Sequence, residues 1–366
     1  MEKARKKMGE ADFVMFITIM LLLAVGIIMV YSASSWTAEI KYKDDMYFLK
    51  RQGAWAVLGI ICMFFAIGYD YHKLRKFSNI LMILCIPLLL IVFAMPSVNG
   101  ARRWINLGFT SFQPSEIVKY VVVLFMAKSM DKRGEEIKKL FSGVGYYLFI
   151  SLIYAGLILA ENNMSIFTVI VMVTMIMLFV AGARCWHLFG IVTPLGLVGA
   201  VALIFSKSYR RDRILGFMDP WKNALSEGYQ LIQSLLALGS GGIWGVGLGQ
   251  SRQKAYYLPE AHNDFIFSII GEELGLIGCA FVIALFMILI WRGIRTALNA
   301  KDIFGTLLAT GITSIIAVQA IINIAVVSGS MPVTGVPLPF ISAGGTSLVI
   351  NMVATGVLLN ISRQRK

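Results

Sequence analysis

A few ionisable residues sit in surroundings that should not tolerate them. Glu116 and Lys119 lie three apart in an otherwise apolar run, on nearly one helix face, so they can pair. Just before them come Arg102, Arg103, Trp104, Asn106, Gln113 and Ser115. Such a basic, hydrogen-bonding cluster suits phosphate or sugar. Lys50 and Arg51 form a second basic pair. Asp264 stands where another long apolar run begins, with His262 two residues earlier. An ionised carboxylate there meets the requirement for a general base, and burial would raise its proton affinity towards usefulness. Ser268 and Glu272 follow it at one and two helical turns, Glu272 about 12 Å deeper. Together these groups suit general-base chemistry near a phosphate or a sugar.

Each has a plainer explanation. Pro114 suits a first helical turn and Glu116 the positive end of the helix dipole, so a capped helix with a local ion pair accounts for both. Asp264 is a good N-cap residue. Gly271 and Gly275 read as close helix packing. Glu273 points away from Glu272 and suits a partner helix or a cytoplasmic-side contact. Ser342, Gly344, Gly345, Thr346 and Ser347 open the last apolar run with amides suited to an anion or to simple capping. Gly245, Gly247 and Gly249 imitate a nucleotide loop, but no strand precedes them and no GK[ST] follows. Glu135, Glu136, Lys138 and Lys139 read as a solvated turn. Cys62, Cys85, Cys185 and Cys279 have no CxxC spacing, and His72, His187 and His262 are far apart, so no zinc or iron–sulfur site is expected.

The elements that must position these residues follow from composition. The chain has 366 residues, 58% hydrophobic and 14% charged, with a net charge of +13. Soluble proteins average about 25% charged. The apolar surplus must face lipid. Apolar runs near 13–30, 53–69, 78–95, 114–130, 144–160, 164–182, 185–206, 265–291, 303–327 and 342–361 predict an all-α, polytopic membrane protein of ten spans. The first is too long for a signal-peptide core. Lys and Arg of the short connections fall mostly on the side of both termini, which places the termini in the cytoplasm. The basic excess then meets anionic lipid rather than nucleic acid. Residues 1–366 form a single domain in which 207–264 is one large external loop between the seventh and eighth spans. Leu231–Leu238 within it is expected to lie in the interface or dip into the bundle. The segment 328–340, with Pro332, Pro337 and Pro339, is expected to be extended and tucked against the bundle.

Several of these stretches resemble one family. They are Arg102-Arg103-Trp104-Ile105, Gln113-Pro114-Ser115-Glu116 with Lys119, and Leu258-Pro259-Glu260-Ala261-His262-Asn263-Asp264-Phe265-Ile266-Phe267. Glu272-Glu273-Leu274-Gly275 and Pro337-Leu338-Pro339-Phe340 with Gly344-Gly345 complete the set. The chain resembles the SEDS family (shape, elongation, division and sporulation) of RodA, FtsW and SpoVE, nearest in look to the FtsW/SpoVE branch. The resemblance implies ten transmembrane helices and a peptidoglycan glycosyltransferase that polymerises lipid II outside the cytoplasmic membrane, beside a class B penicillin-binding protein. Other division or sporulation membrane proteins would be partners. The family's essential aspartate corresponds to Asp264, and its buried Glu and Lys to Glu116 and Lys119. Two departures stand out. Glu161-Asn162-Asn163-Met164-Ser165 lacks a proline common after the fifth span, and Ala343 replaces a tyrosine.

The expected chemistry is inverting glycosyl transfer. Asp264 takes the proton of an acceptor hydroxyl while Arg102, Arg103, Lys119, Lys50 and Arg51 meet the pyrophosphate charge. No organic cofactor is expected, and a divalent cation (Mg or Mn) would share the pyrophosphate. Two rival classes remain: a flippase for lipid-linked sugar, for which no internal repeat is found, and a non-catalytic division scaffold.

Overall fold

The computed structural model describes residues 9–97, 101–106, 108, 111–255, 257–259 and 261–364. Lys3, Arg5, Lys6 and Lys7 of the basic tail, and Glu260 of the motif before Asp264, lie outside the described residues.

Among the described residues, twelve α-helices carry the fold. They are α1 (Phe13–Tyr42), α2 (Tyr47–Gly68), α3 (Tyr71–Val92), α4 (Pro114–Arg133), α5 (Tyr146–Ala160), α6 (Met164–Val180), α7 (Thr193–Phe205), α8 (Ser208–Met218), α9 (Tyr229–Gly241), α10 (Ile266–Leu298), α11 (Ile303–Val327) and α12 (Gly345–Arg363). Their starts follow local chemistry. Asp12, Asp70, Asn163 and Asp302 cap α1, α3, α6 and α11 through side-chain oxygens that accept backbone N–H bonds. Pro114 opens α4, where its missing N–H costs nothing.

Among the described residues, eight helical stretches are long and apolar enough to cross a membrane, and a multi-pass membrane protein follows. The other two predicted spans are also helices. α6 is apolar but shorter, and α4 carries too much charge for a hydropathy criterion. The core lies where α4, α10, α11 and α12 meet, and α11 is largely buried. α7 has no buried residue, as a helix surrounded by lipid would. One small departure from an all-helical reading is a two-strand hairpin, β1 (Ile105–Asn106) with β2 (Ser111–Phe112), which delivers the chain into α4.

The long loop is folded. α8 and α9 occupy it, and α9 packs on α10 and α11 with Leu231, Ile232, Ser234 and Ala237 buried. Leu231–Leu238 forms an amphipathic stretch with one face on α10 and α11 and Leu236 on the exposed side.

The eighth predicted span is not one continuous helix. α10 breaks at Gly275, whose φ of 66° is a left-handed value that glycine adopts without strain. The glycine run that imitated a nucleotide loop fills this break. Val246 N and Gly247 N donate to Glu272 O and Glu273 O, while Leu276 N and Ile277 N donate to Gly242 O and Ile243 O. Backbone groups orphaned by the break are thereby satisfied at membrane depth, where water cannot do it. A Cβ at Gly241 would overlap the Gly271 carbonyl, and one at Gly245 the Glu273 carbonyl. Gly271 does serve close packing, against α9, but Gly275 serves the break.

Candidate functional site

Three consecutive carbonyls hold the chain just before α10. Ala343 N donates to His262 O (2.9 Å), Ser342 Oγ to Asn263 O (2.6 Å), and Asn323 Nδ2 to Asp264 O (2.8 Å). Asn323 also donates to Val336 O (2.8 Å), which ties the same point to the proline-rich segment. That segment is extended, with Val336, Leu338 and Phe340 buried, as expected. Gly335 lies against the Asp264 carboxylate: a Cβ there would sit 3.0 Å from Asp264 Oδ2. Phe265, not Asp264, occupies the cap position of α10, and it makes no side-chain cap bond. Asp264 lies one residue ahead of that cap. Its side chain is half-buried on a backbone that cannot drift.

Beside it runs a buried polar network across three helices. Lys119 Nζ donates to Glu116 Oε2 (2.7 Å) and to Gln319 Oε1 (3.0 Å), and Ser347 Oγ donates to the same Glu116 oxygen (2.8 Å). Tyr120 adds a bond to Asn351 (2.7 Å). Glu116 and Lys119 are each 1% exposed. Uncompensated, either charge would be costly there. Reversing one charge alone should destabilise the fold by about 3–5 kcal/mol. Reversing both should recover most of it, because Gln319 can turn its amide and Ser347 can accept. Detergent melting temperatures of the three variants read this; a double reversal no better than the singles would mean the pair is not mainly structural.

The basic residues do not form one cluster. Arg102 is exposed and turns back to the end of α3, donating to Phe93 O (2.9 Å). Arg103 donates to Asn162 O at the turn between α5 and α6. Lys50 pairs with Asp44 (2.7 Å), and Arg51 bonds and stacks on Tyr47. This second pair sits on the rim of α2, where the Phe48 ring meets that of His262 (4.6 Å) and Gln52 accepts from Gly344 N. Gln113 and Asn163 both donate to the buried Ser115 hydroxyl. Ser342, expected to bind substrate, accepts from Leu338 N (2.8 Å) and donates to Asn263 O, which leaves its hydroxyl one further lone pair. The amides of Ala343 and Gly344 are likewise taken, so the start of α12 offers less to an anion than expected.

Glu272 and Glu273 serve the loop. Glu272 accepts from Ser251 Oγ, Arg252 N and Gln253 N, while Glu273 accepts from Lys254 Nζ (2.8 Å) and from Ser32 of α1. Ser268 meets Ser234 of α9 (2.7 Å). The polar face below Asp264 is thus lined by the folded loop. Among the described residues no three His, Cys, Asp or Glu converge as metal ligands.

The proline missing before α6 has a structural reason. Asn162 has φ 62°, which proline cannot adopt and asparagine tolerates. Asn163 N bonds Ile158 O and Asn162 N bonds Leu159 O, closing α5 with a left-handed cap. This turn buries Glu161, 1% exposed, with neither carboxylate oxygen hydrogen-bonded. Burial pushes its carboxyl up to about 8 against the pull of Arg103. Because the folded form holds the proton more tightly, stability is highest below the ordinary 4.5 and falls as pH rises towards 8. Glu161→Gln should remove that slope, so its melting temperature should overtake the native one as pH climbs; parallel melting curves would overturn this.

Sequence reasoning missed Gln319, Asn323 and Lys254, and it placed Ser347 at the start of the last helix without pairing its hydroxyl to Glu116. The first two had a signal: amide residues four apart inside an apolar span, where polar groups seek partners.

The Cell cycle protein family of FtsW, RodA and SpoVE matches residues 12–366, and the chain belongs to that family. It is 45% identical to Stage V sporulation protein E of Bacillus subtilis (strain 168), over 98% of each chain. It is 42% identical to a probable peptidoglycan glycosyltransferase FtsW of Geobacter sp. (strain M18), over 97% of each. Among solved structures, a chain from a peptidoglycan synthase complex coordinating polymerization and crosslinking superposes with TM-score 0.81 at 27% identity, covering 96% of this chain and 98% of that one. The rod shape determining protein RodA of Thermus thermophilus gives TM-score 0.70 at 25% identity, with 97% of each covered.

Proposed function

We propose that this protein is a peptidoglycan glycosyltransferase that polymerises lipid II into glycan on the outer face of the bacterial cytoplasmic membrane, with both termini in the cytoplasm. The observation that carries the mechanism is the pinned Asp264. Its three anchored carbonyls give the preorganisation that a general base needs. Asp264 removes the proton of the acceptor sugar's 4-hydroxyl. That oxygen bonds to the donor's anomeric carbon as the bond to the polyprenyl pyrophosphate breaks, and the configuration inverts. Arg51 and Arg103 supply positive charge at the rim for the leaving pyrophosphate. Lys119, locked between Glu116 and Gln319, contributes field rather than a direct grip.

A Mg or Mn ion is assigned to the substrate's pyrophosphate rather than to a protein site, since the described residues offer no ligand cluster; no step is routed through it. A class B penicillin-binding protein that cross-links the product is the proposed partner, with other division or sporulation membrane proteins around it.

The test is polymerisation by purified protein in detergent, where flipping has no meaning. Given lipid II and its penicillin-binding partner, the protein should make glycan resolvable on a gel. No product, under conditions where a known polymerase makes it, would overturn the assignment.

A further inference from the structure

At the end of the bundle away from Asp264 lies a cavity of 520 Å³ lined by Glu135, Lys138, Lys139, Leu140, Arg184 and His187. It takes in part of the turn that reads in sequence as merely solvated. α4 leads from Glu116 down to this end, and α6 descends from Asn163 to the turn before Arg184. Lys138 is neutralised by Glu135 (2.6 Å). Lys139 and Arg184 have no acidic partner within 4.0 Å among the described residues. His187 Nδ1 is buried without a hydrogen-bond partner. Two cations and the His187 ring therefore line one cavity that the proposed reaction does not use.

The surroundings say what kind of anion fits. Two membrane-crossing stretches, Leu140–Ala160 and Trp186–Phe205, both begin at this cavity, so it lies at the lipid headgroup level. Each begins with π-helical turns, Leu140–Gly145 and Trp186–Val192, a rare backbone form that recurs at functional sites. Phe141 and Trp186 stand beside the cavity, 87% and 73% exposed. Aromatic side chains at this depth pack against the glycerol and upper acyl region of lipid. Arg133 is not available to the cavity's ligand in the same way, since it stacks on Tyr146 (3.7 Å) and donates to Ser142 O, bracing the first π turn.

We propose that this cavity binds the phosphate of an anionic phospholipid headgroup, held by Lys139, Arg184 and His187, with the lipid's glycerol end against Phe141 and Trp186. The inference stands apart from the polymerase assignment and survives its failure.

The full-length protein in phosphatidylcholine nanodiscs tests it. Brominated phosphatidylglycerol should quench the Trp186 fluorescence, defined by difference from Trp186→Phe, at lower mole fraction than brominated phosphatidylcholine. Lys139→Gln with Arg184→Gln should weaken that preference by about 25-fold, at about a factor of five per basic residue. Lys139→Arg with Arg184→Lys should keep it. If the neutralised double variant does not fold, the native and charge-conserving proteins still decide the matter. Equal quenching by the two lipids would overturn the proposal. Displacement of the lipid signal by millimolar inorganic phosphate alone would overturn the lipid assignment in favour of a free-phosphate site.

Discussion

Asp264→Asn should lose roughly 10²–10⁴-fold in lipid II polymerisation while melting at nearly the native temperature. The amide is isosteric with the carboxylate, and the bonds that place this residue run through its own and its neighbours' main-chain carbonyls, to Ala343, Ser342 and Asn323. Those bonds survive the substitution. What disappears is the group that accepts the proton. The measurement is initial polymerisation rate beside a thermal melt of the same preparation. Full activity in the Asn variant would sink the base assignment, and a collapsed melting temperature would show that the side chain is structural after all.

Lys254→Met should be the most damaging single change to the loop, costing about 3–5 kcal/mol. Lys254 Nζ lies 2.8 Å from Glu273 Oε1, and Ser32 of α1 binds the same carboxylate. Both charges are buried, Lys254 at 8% and Glu273 at 1% exposure. Methionine keeps much of the lysine's apolar stem but strands the Glu273 carboxylate away from water. The cost is that of an unpaired buried charge, larger than the net worth of the pair. Adding Glu273→Gln should therefore return most of the lost stability, since the amide can still donate to or accept from Ser32. Melting of the two variants checks this. A Lys254→Met protein as stable as the native one would mean that the pair is solvated in practice.

Much of this architecture is legible in the sequence because lipid imposes strict rules. Apolar run length places helices at all ten predicted positions, and the spacing of Glu116 and Lys119 anticipates their contact. Asp264 stands out through the motif around it. The break in α10 is not legible, because Ile266–Leu298 reads as one long and mostly apolar helical run and glycine is common in membrane helices. What makes the break tolerable is a tertiary event, the docking of residues 242–247, and no local propensity encodes that. The partition of the basic residues is hidden for a similar reason. Arg102 and Arg103 are adjacent in sequence, yet one returns to α3 and the other reaches the turn after α5. The two partners of Ser342 within the chain, Leu338 N and Asn263 O, are likewise tertiary and leave no mark in the local sequence.

The insertion of the glycine run into α10 bears on the order in which the site is assembled. The bonds joining residues 242–247 to 272–277 link positions close in the chain, and Asp264 lies between them. Contacts of such short sequence separation form early, ahead of those that close long loops. The ring carrying the base can thus close as soon as the first part of α10 has emerged. Asn323, Ser342 and Ala343, which fix its carbonyls, come later in the chain. The base is shaped first by its own loop and only afterwards pinned in place by the helices that follow.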